Sequence, residues 1–526
     1  MKNLKLFLLV IILLTSSSTL IAQSNTKLTS SELENWFKAD LEKDSIAGIS
    51  FEKAKGFLKN KKNESVVIGV IETSIDISHK DLKNWIWKNQ DEIKENGIDD
   101  DNNGYIDDIN GWNFIGNLTI LNSGFETILM NPKLVKDKSL LKKAKKEYKA
   151  FLKESTKNYK DDIKTLKSLK ERHNRLTNYF KNEDYTLDDV LNIQTKNQDI
   201  KKDIESIKRR IEFSKLAIGK DLDIKSSYYI KNQISGMMIY KKEDSIIASG
   251  QSIKTNFRKT LGDDLENLND NLYGDNIVNK NIDEEHGTHI SGIIVTNSIS
   301  KNNKLMPLRI NGRVGGAHEK DIALSIRYAV DNGAKVINAS ITGYYPSLNG
   351  WVYKAIKYAE EKDVLIIIAA GNDSTNRDEV KTFPNDNKGL KNEFTTNVIV
   401  VGSSTHRFGK NIVSSFSNYG KRNVDIFAPG SKIYSTLPKN KYGYGGGTSM
   451  ATPMVAAIAA TIRSYYPNLS AKEVKEVILN SGTKIDFEVN IPSKRNKSVN
   501  FSELCKSNSI VNYYNAVVLA ETLSLK

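Results

Sequence analysis

The chain has 526 residues, 77 Lys and Arg against 63 Asp and Glu, and one cysteine, Cys505. A single cysteine excludes an internal disulfide framework, so stability must come from core burial, to which a bound metal could add. The net charge of +14 does not describe a nucleic-acid binder: residues 131–220 hold 25 basic against 14 acidic side chains, +11 of the total, and the remainder is close to neutral.

Lys2 and Lys5, the apolar run 6–14 and the small-residue end Leu20-Ile21-Ala22 read as a signal peptide over 1–22. That run is far short of the roughly 20 residues needed to cross a bilayer. No other segment is apolar enough, so the mature chain is expected to be secreted or periplasmic, without a membrane span. Residues 23–63 form a polar N-terminal extension with short helical patterns around Leu33, Trp36, Phe37 and Leu41.

At residue 64 the texture changes. Residues 66–71 (VVIGVI) are an apolar, β-branched run suited to a parallel strand buried on both faces, and similar runs recur at 336–337, 364–370 and 398–401. Helical patterns at 321–332 and 351–362 lie between them, which predicts an α/β domain over 64–522 with a mostly parallel central sheet. An insertion interrupts it at 131–220. Apolar residues from Leu141 to Phe180 recur at three- and four-residue steps, and Thr186 with Asp189 could cap a second helix through Ile193, Ile200, Ile204, Ile207 and Ile211. The expected product is a long helical hairpin, a solvated arm that could also dock a partner, with His173 on its apolar face.

Three stretches carry chemistry. Gly446-Gly447-Thr448-Ser449-Met450-Ala451-Thr452-Pro453 sets a serine at a helix start after a glycine turn, where backbone N–H groups face a developing oxyanion. His286-Gly287-Thr288-His289 opens another helix, and a neutral imidazole suits a general base. Two histidines three apart could instead hold a metal, although such pairs usually stand four apart around a Glu. Ala369-Ala370-Gly371-Asn372 ends a strand in an amide able to donate to an oxyanion.

Together these stretches resemble the subtilisin-like serine peptidases, from about residue 66 to residue 519 apart from the insertion. The resemblance implies a subtilisin-like three-layer fold and hydrolysis of protein or peptide substrates. It implies Ser449 as nucleophile, His286 as base and Asn372 in the oxyanion hole, with Ser340, Ile341, Thr342, Gly343, Ala370 and Gly371 binding substrate. It also makes Glu72, in 70–76 (VIETSID), the counterpart of the catalytic Asp, with Ser74 where the family has Gly. Glu keeps the charge but is one methylene longer. Asp76 is the alternative acid, Glu72→Asp is expected to retain or raise activity, and a peptide-binding pseudoprotease is the competing reading.

Residues 99–110 (DDDNNGYIDDIN) resemble a calcium loop, with Asp99, Asp101, Asn103, Tyr105 and Asn110 as ligands and Gly104 at the sharp turn. Structural calcium is the expected cofactor. Asp81 matches another calcium position of the family, but 295–306 is too short for its partner loop and no second site is expected.

Overall fold

The computed structural model describes residues 28–526 except 136, 184, 186, 219–233, 236, 239–240, 282, 347–348, 389–391 and 495–496. The signal-peptide expectation, the start of the extension and the Thr186 cap therefore lie outside the described residues.

The predicted apolar runs form the centre of a nine-stranded sheet. In chain order its strands are β1 (Val67–Glu72), β2 (Trp112–Asn113), β3 (Lys304–Arg309), β4 (Ala334–Ala339), β5 (Leu365–Ala369), β6 (Val398–Ser404), β7 (Ile426–Pro429), β8 (Thr483–Lys484) and β9 (Ser509–Ile510). Their spatial order is β8-β9-β7-β6-β5-β4-β1-β3-β2, and every pairing is parallel except that of β8 with β9. Both faces are covered. On one, Ile68, Val70, Leu365 and Ile367 pack with the helices Glu285–Asn297 and Thr448–Tyr465. On the other, Ile71, Ile366 and Ile368 pack with Glu319–Asp331 and Trp351–Glu361. Alternate residues of each strand thus serve opposite layers, which is why the strands read as unbroken apolar runs. The architecture is the expected three-layer α/β fold.

β1 lies between β4 and β3, so strand order reverses beside it. The carboxyl ends of strands at such a switch point open a crevice. Glu72 ends β1, residue 340 follows β4, and residue 372 lies just beyond β5.

The N-terminal extension belongs to the same core. Trp36, Phe37, Ile49, Phe51, Ala54 and Leu58 are buried with the C-terminal helix Tyr513–Ser524. Trp36 Nε1 donates to the Lys432 carbonyl at 3.2 Å, and the Tyr513 N–H to the Ile49 carbonyl at 2.8 Å.

The insertion is led by a 43-residue helix, Lys138–Phe180, about 65 Å long at 1.5 Å per residue. Leu169 and Leu176 pack against Ile200, Ile204 and Ile207 of the returning helix Gln198–Ile218, making the hairpin. One continuous second helix from 187 is not formed. The segment breaks into Leu187–Leu191 and Gln198–Ile218 because the Asn197 side chain caps a fresh start, accepting the N–H groups of Asp199 and Ile200 at 2.9 and 3.2 Å. The module also continues past 220: Lys241–Ala248 lies along the long helix, with Tyr148 Oη donating to the Gly250 carbonyl and Thr156 Oγ1 to that of Ala248, both at 2.9 Å. His173 is half-buried, its Nδ1 2.8 Å from Tyr185 Oη.

Candidate active site

Glu72 is 1% exposed. Its Oε2 lies 2.7 Å from His286 Nδ1 and accepts the Thr73 N–H at 3.2 Å, whereas Oε1 is buried without a hydrogen-bond partner. Burial alone would lower the pKa of His286. The charge and hydrogen bond of Glu72 outweigh it, and the imidazole is held above its ordinary value. An Nδ1–H donating to the carboxylate fixes the tautomer that leaves Nε2 as the proton acceptor.

The loop after β1 is built to seat this pair. Thr73 Oγ1 accepts the Gly287 N–H at 2.9 Å, and a Cβ on Gly287 would meet the Thr73 and Ser74 carbonyls at 2.7 Å. Only glycine lets the histidine helix dock so closely. The Ser74 N–H donates to Glu284 at 3.1 Å, and Glu284 is paired with buried Arg309 at 2.8 Å. Ser74 is not among the positive-φ residues, so a side chain in place of the family's glycine brings no backbone strain. Asp76 is committed elsewhere: its carboxylate accepts from Ser78 and from the Lys439 N–H at 2.8 Å. It does not replace Glu72.

His289 is 3% exposed, with Nε2 3.2 Å from the Gly443 carbonyl, and burial pushes its pKa down to about 4. The two histidines of the motif address different partners, so they do not form a shared ligand pair.

Ser449 is the second residue of the helix Thr448–Tyr465 and is half-buried. Its Oγ donates to the Ser340 carbonyl at 3.4 Å, and Ser340 Oγ donates back to the Ser449 carbonyl at 3.0 Å. Among the described residues Ser449 makes no direct hydrogen bond to His286; such bonds commonly tighten only around substrate. Asn372 is exposed. Its Oδ1 accepts the Thr448 N–H and Oγ1 at 2.8 and 3.0 Å, and its Nδ2 has no protein partner among the described residues. The clamp turns the amide's donor outward. Thr448 also accepts the Gly371 N–H at 3.1 Å, a positioning role missed in sequence although Thr448 lies inside the serine motif.

Ala370 and Gly371 are held from behind. The Ala370 carbonyl accepts Asn418 Nδ2 and Arg377 Nη1 at 2.9 and 2.8 Å. Gly371 has φ +106°, and a Cβ there would fall 2.3 Å from Asn418 Nδ2. Gly343 departs from expectation: its N–H and C=O pair with Phe383 at 2.7 and 2.8 Å. The free edge therefore shortens to residues 340–342, where the Thr342 N–H and C=O lack protein partners among the described residues.

Glu72, His286, Ser340, Ile341, Thr342 and Gly343 line a cleft of about 470 Å³. Its opposite rim, residues 311–316, is already paired: the Arg313 N–H donates to the Thr119 carbonyl at 2.7 Å and the Leu121 N–H to that of Val314 at 2.9 Å.

In the acidic loop, carboxylate oxygens of Glu92, Asp99 and Asp101 lie within 4.8 Å of one another. Asn103 donates to Asp101 and Asp108 at 3.0 Å, and Asn89 bridges the same two carboxylates at 2.9 and 2.7 Å. The Tyr105 ring is packed against Trp112 and Tyr328. Asn110 does not join the cluster; its amide donates to the Trp87 carbonyl at 2.9 Å. Glu92, upstream of the predicted loop, was not anticipated. Converging hard oxygen donors fit a calcium ion. A second acidic group, Asp386, Glu393 and Asp425, is met by Lys475 and Lys506 instead.

A parallel sheet, a switch-point crevice with the Glu72–His286 pair in its lining, and Ser449 bonded to Ser340 of that lining define the class: an α/β protein with a cleft at the carboxyl ends of its strands. The family model described as "Subtilase family" matches residues 63–501, and the chain belongs to that family of serine peptidases. It is 36% identical to thermitase of Thermoactinomyces vulgaris over 208 residues, 38% of this chain and 68% of that protein. It is 31% identical to subtilisin DY of Bacillus licheniformis over 38% of this chain and 71% of that one. It is 30% identical to the cell wall-associated protease of Bacillus subtilis (strain 168) over 281 residues, 51% of this chain. It spans only 28% of the length of that last relative.

Proposed function

We propose that the chain is an exported serine endopeptidase in which Ser449 attacks the scissile carbonyl while His286, oriented by Glu72, takes its proton and returns it to the leaving amine. The observation that carries this reading is the 2.7 Å contact between His286 Nδ1 and Glu72 Oε2, which gives the departure from Asp a working geometry. Asn372 Nδ2 and the helix-start N–H of Ser449 are the proposed oxyanion donors. The backbone of residues 340–342 pairs with an extended peptide as an added strand. Glu92, Asp99 and Asp101 are the proposed calcium ligands, with Asn103 beside them; the ion would brace the loop and takes no part in the chemistry. Export rests on the charge and apolar pattern of residues 1–22.

A fluorophosphonate probe tests the reading directly. Labelling of the wild type that disappears in Ser449→Ala is expected. Well-folded wild type that neither labels nor cleaves a peptide library would leave the pseudoprotease in its place.

A further inference from the structure

The long insertion is attached to the cleft itself. Gly124–Met130, the short helix leading into it, contributes Thr127 and Ile128 to the cleft lining, across from Ile341 and Tyr345. From the long helix, Lys143 donates to the Tyr344 carbonyl at 3.3 Å, and its ammonium lies 5.5 and 5.0 Å from the Tyr344 and Tyr345 ring centres. Tyr345 Oη donates to Glu147 at 2.7 Å, and its ring meets Phe125 edge-on at 6.3 Å. A Cβ on Gly124 would meet the Tyr345 side chain at 3.0 Å, so the tyrosine packs directly on the glycine.

The bracing reaches further. Tyr344 Oη donates to Asp373, the neighbour of Asn372, and accepts from Asn418 Nδ2 at 2.9 Å. Asn418 in turn accepts the Asp373 and Thr375 N–H groups at 3.1 and 2.8 Å. Lys143 and Glu147 thus hold a two-tyrosine segment that begins two residues after Thr342 and ends, through Tyr344, on the loop carrying Asn372. The base of the module is fastened too: Asn122 Nδ2 donates to the Ser252 and Thr255 carbonyls at 3.1 and 3.2 Å, tying its entry to its exit.

We infer that the insertion is a specificity element of the cleft, in which Lys143 and Glu147 are positioning residues and Tyr345 with Ile128 shapes a subsite for a bulky apolar substrate side chain. This rests on the proposed peptidase reading and deepens it. Ile322, Val352 and Tyr353 also line the cleft, and among the described residues its lining holds no Lys or Arg. Tyr345 is held at its hydroxyl by Glu147 and at its ring by Phe125 and Gly124, so the subsite keeps its depth without substrate. The other rim is paired with residues 119–121, so its backbone groups are engaged within the chain.

The test compares wild type with Glu147→Gln, Tyr345→Phe and Lys143→Met, using Lys160→Ala, on an exposed stretch of the same helix, as control. Each is given a peptide library varied from Ala to Leu to Phe at each position around the cut, with fluorophosphonate labelling rates in parallel. A preference for Leu or Phe over Ala is expected at one position in wild type and control. In the three variants it should shrink by about 10-fold through KM, beyond any uniform change in labelling. Variants that label, cleave and keep the wild-type preference would overturn the inference and leave the peptidase reading intact. If wild type neither labels nor cleaves, that reading falls; fluorescence anisotropy of the same peptides then reads the subsite, and unchanged preference overturns the inference there as well.

Discussion

Glu72 and His286 meet through one carboxylate oxygen only: Oε2 is 2.7 Å from Nδ1, and Oε1 is buried with no partner. The longer side chain of Glu is therefore fully used in reaching the ring. Shortening it by one carbon–carbon bond withdraws the carboxylate by about 1.5 Å. Glu72→Asp is accordingly expected to lower kcat by about 100-fold, the reverse of the expectation drawn from the family's Asp. Steady-state kinetics on the best library peptide checks this.

Replacing the charge rather than the length gives a pH signature. With Glu72→Gln the force that raises the His286 pKa is gone and burial remains, so the acid limb of kcat/KM should move to lower pH. The plateau should fall by about 10⁴-fold as the tautomer is lost. An acid limb that stays in place would show that Glu72 does not set the base.

Stability should respond to pH through His289. Its pKa falls from 6.5 to about 4 on folding, so the unfolded chain binds the extra proton first. Folding stability is then lost as pH drops below 6.5, by up to about 1.4 kcal/mol per pH unit until pH 4. His286 has the opposite sign: its raised pKa stabilises fully below 6.5, and that contribution fades as pH climbs through its folded value. Urea melts of wild type and His289→Gln from pH 7 to pH 4.5 separate the two.

Asn372→Ala removes the one side-chain donor turned outward by Thr448 and should cost about 10²- to 10³-fold in kcat. KM should change little. Thr448→Val removes the hydroxyl half of the clamp on Asn372 and keeps the backbone half, so its rate should lie between those of wild type and Asn372→Ala.

Chelation is expected to lower the melting temperature without abolishing Ser449 labelling at 25 °C, because none of Glu92, Asp99 and Asp101 lines the cleft. Asp99→Asn with Asp101→Asn should melt at the chelated temperature whether or not calcium is added. Calorimetry reads both.

Residues whose identity is dictated by local chemistry were legible in the sequence. The serine and histidine motifs announce themselves because a helix start, a glycine turn and a reactive side chain must sit within a few positions of one another. The central strands were legible because burial on both faces forces unbroken apolar runs. What escaped was pairing between distant segments. Nothing near Gly343 signals that Phe383 takes its backbone groups, and nothing near Glu92 signals Asp99 and Asp101. The extension looked polar and peripheral because Trp36 meets His406 and Lys432 and Ile49 meets Tyr513, all far along the chain.

That last arrangement governs when the molecule can come into being. The helix Phe51–Leu58 rests on Tyr513–Ser524, so the first and final thirds of the polypeptide complete each other's hydrophobic interior. A nascent chain keeps Phe51, Ala54 and Leu58 wet until residues 513–524 have been made.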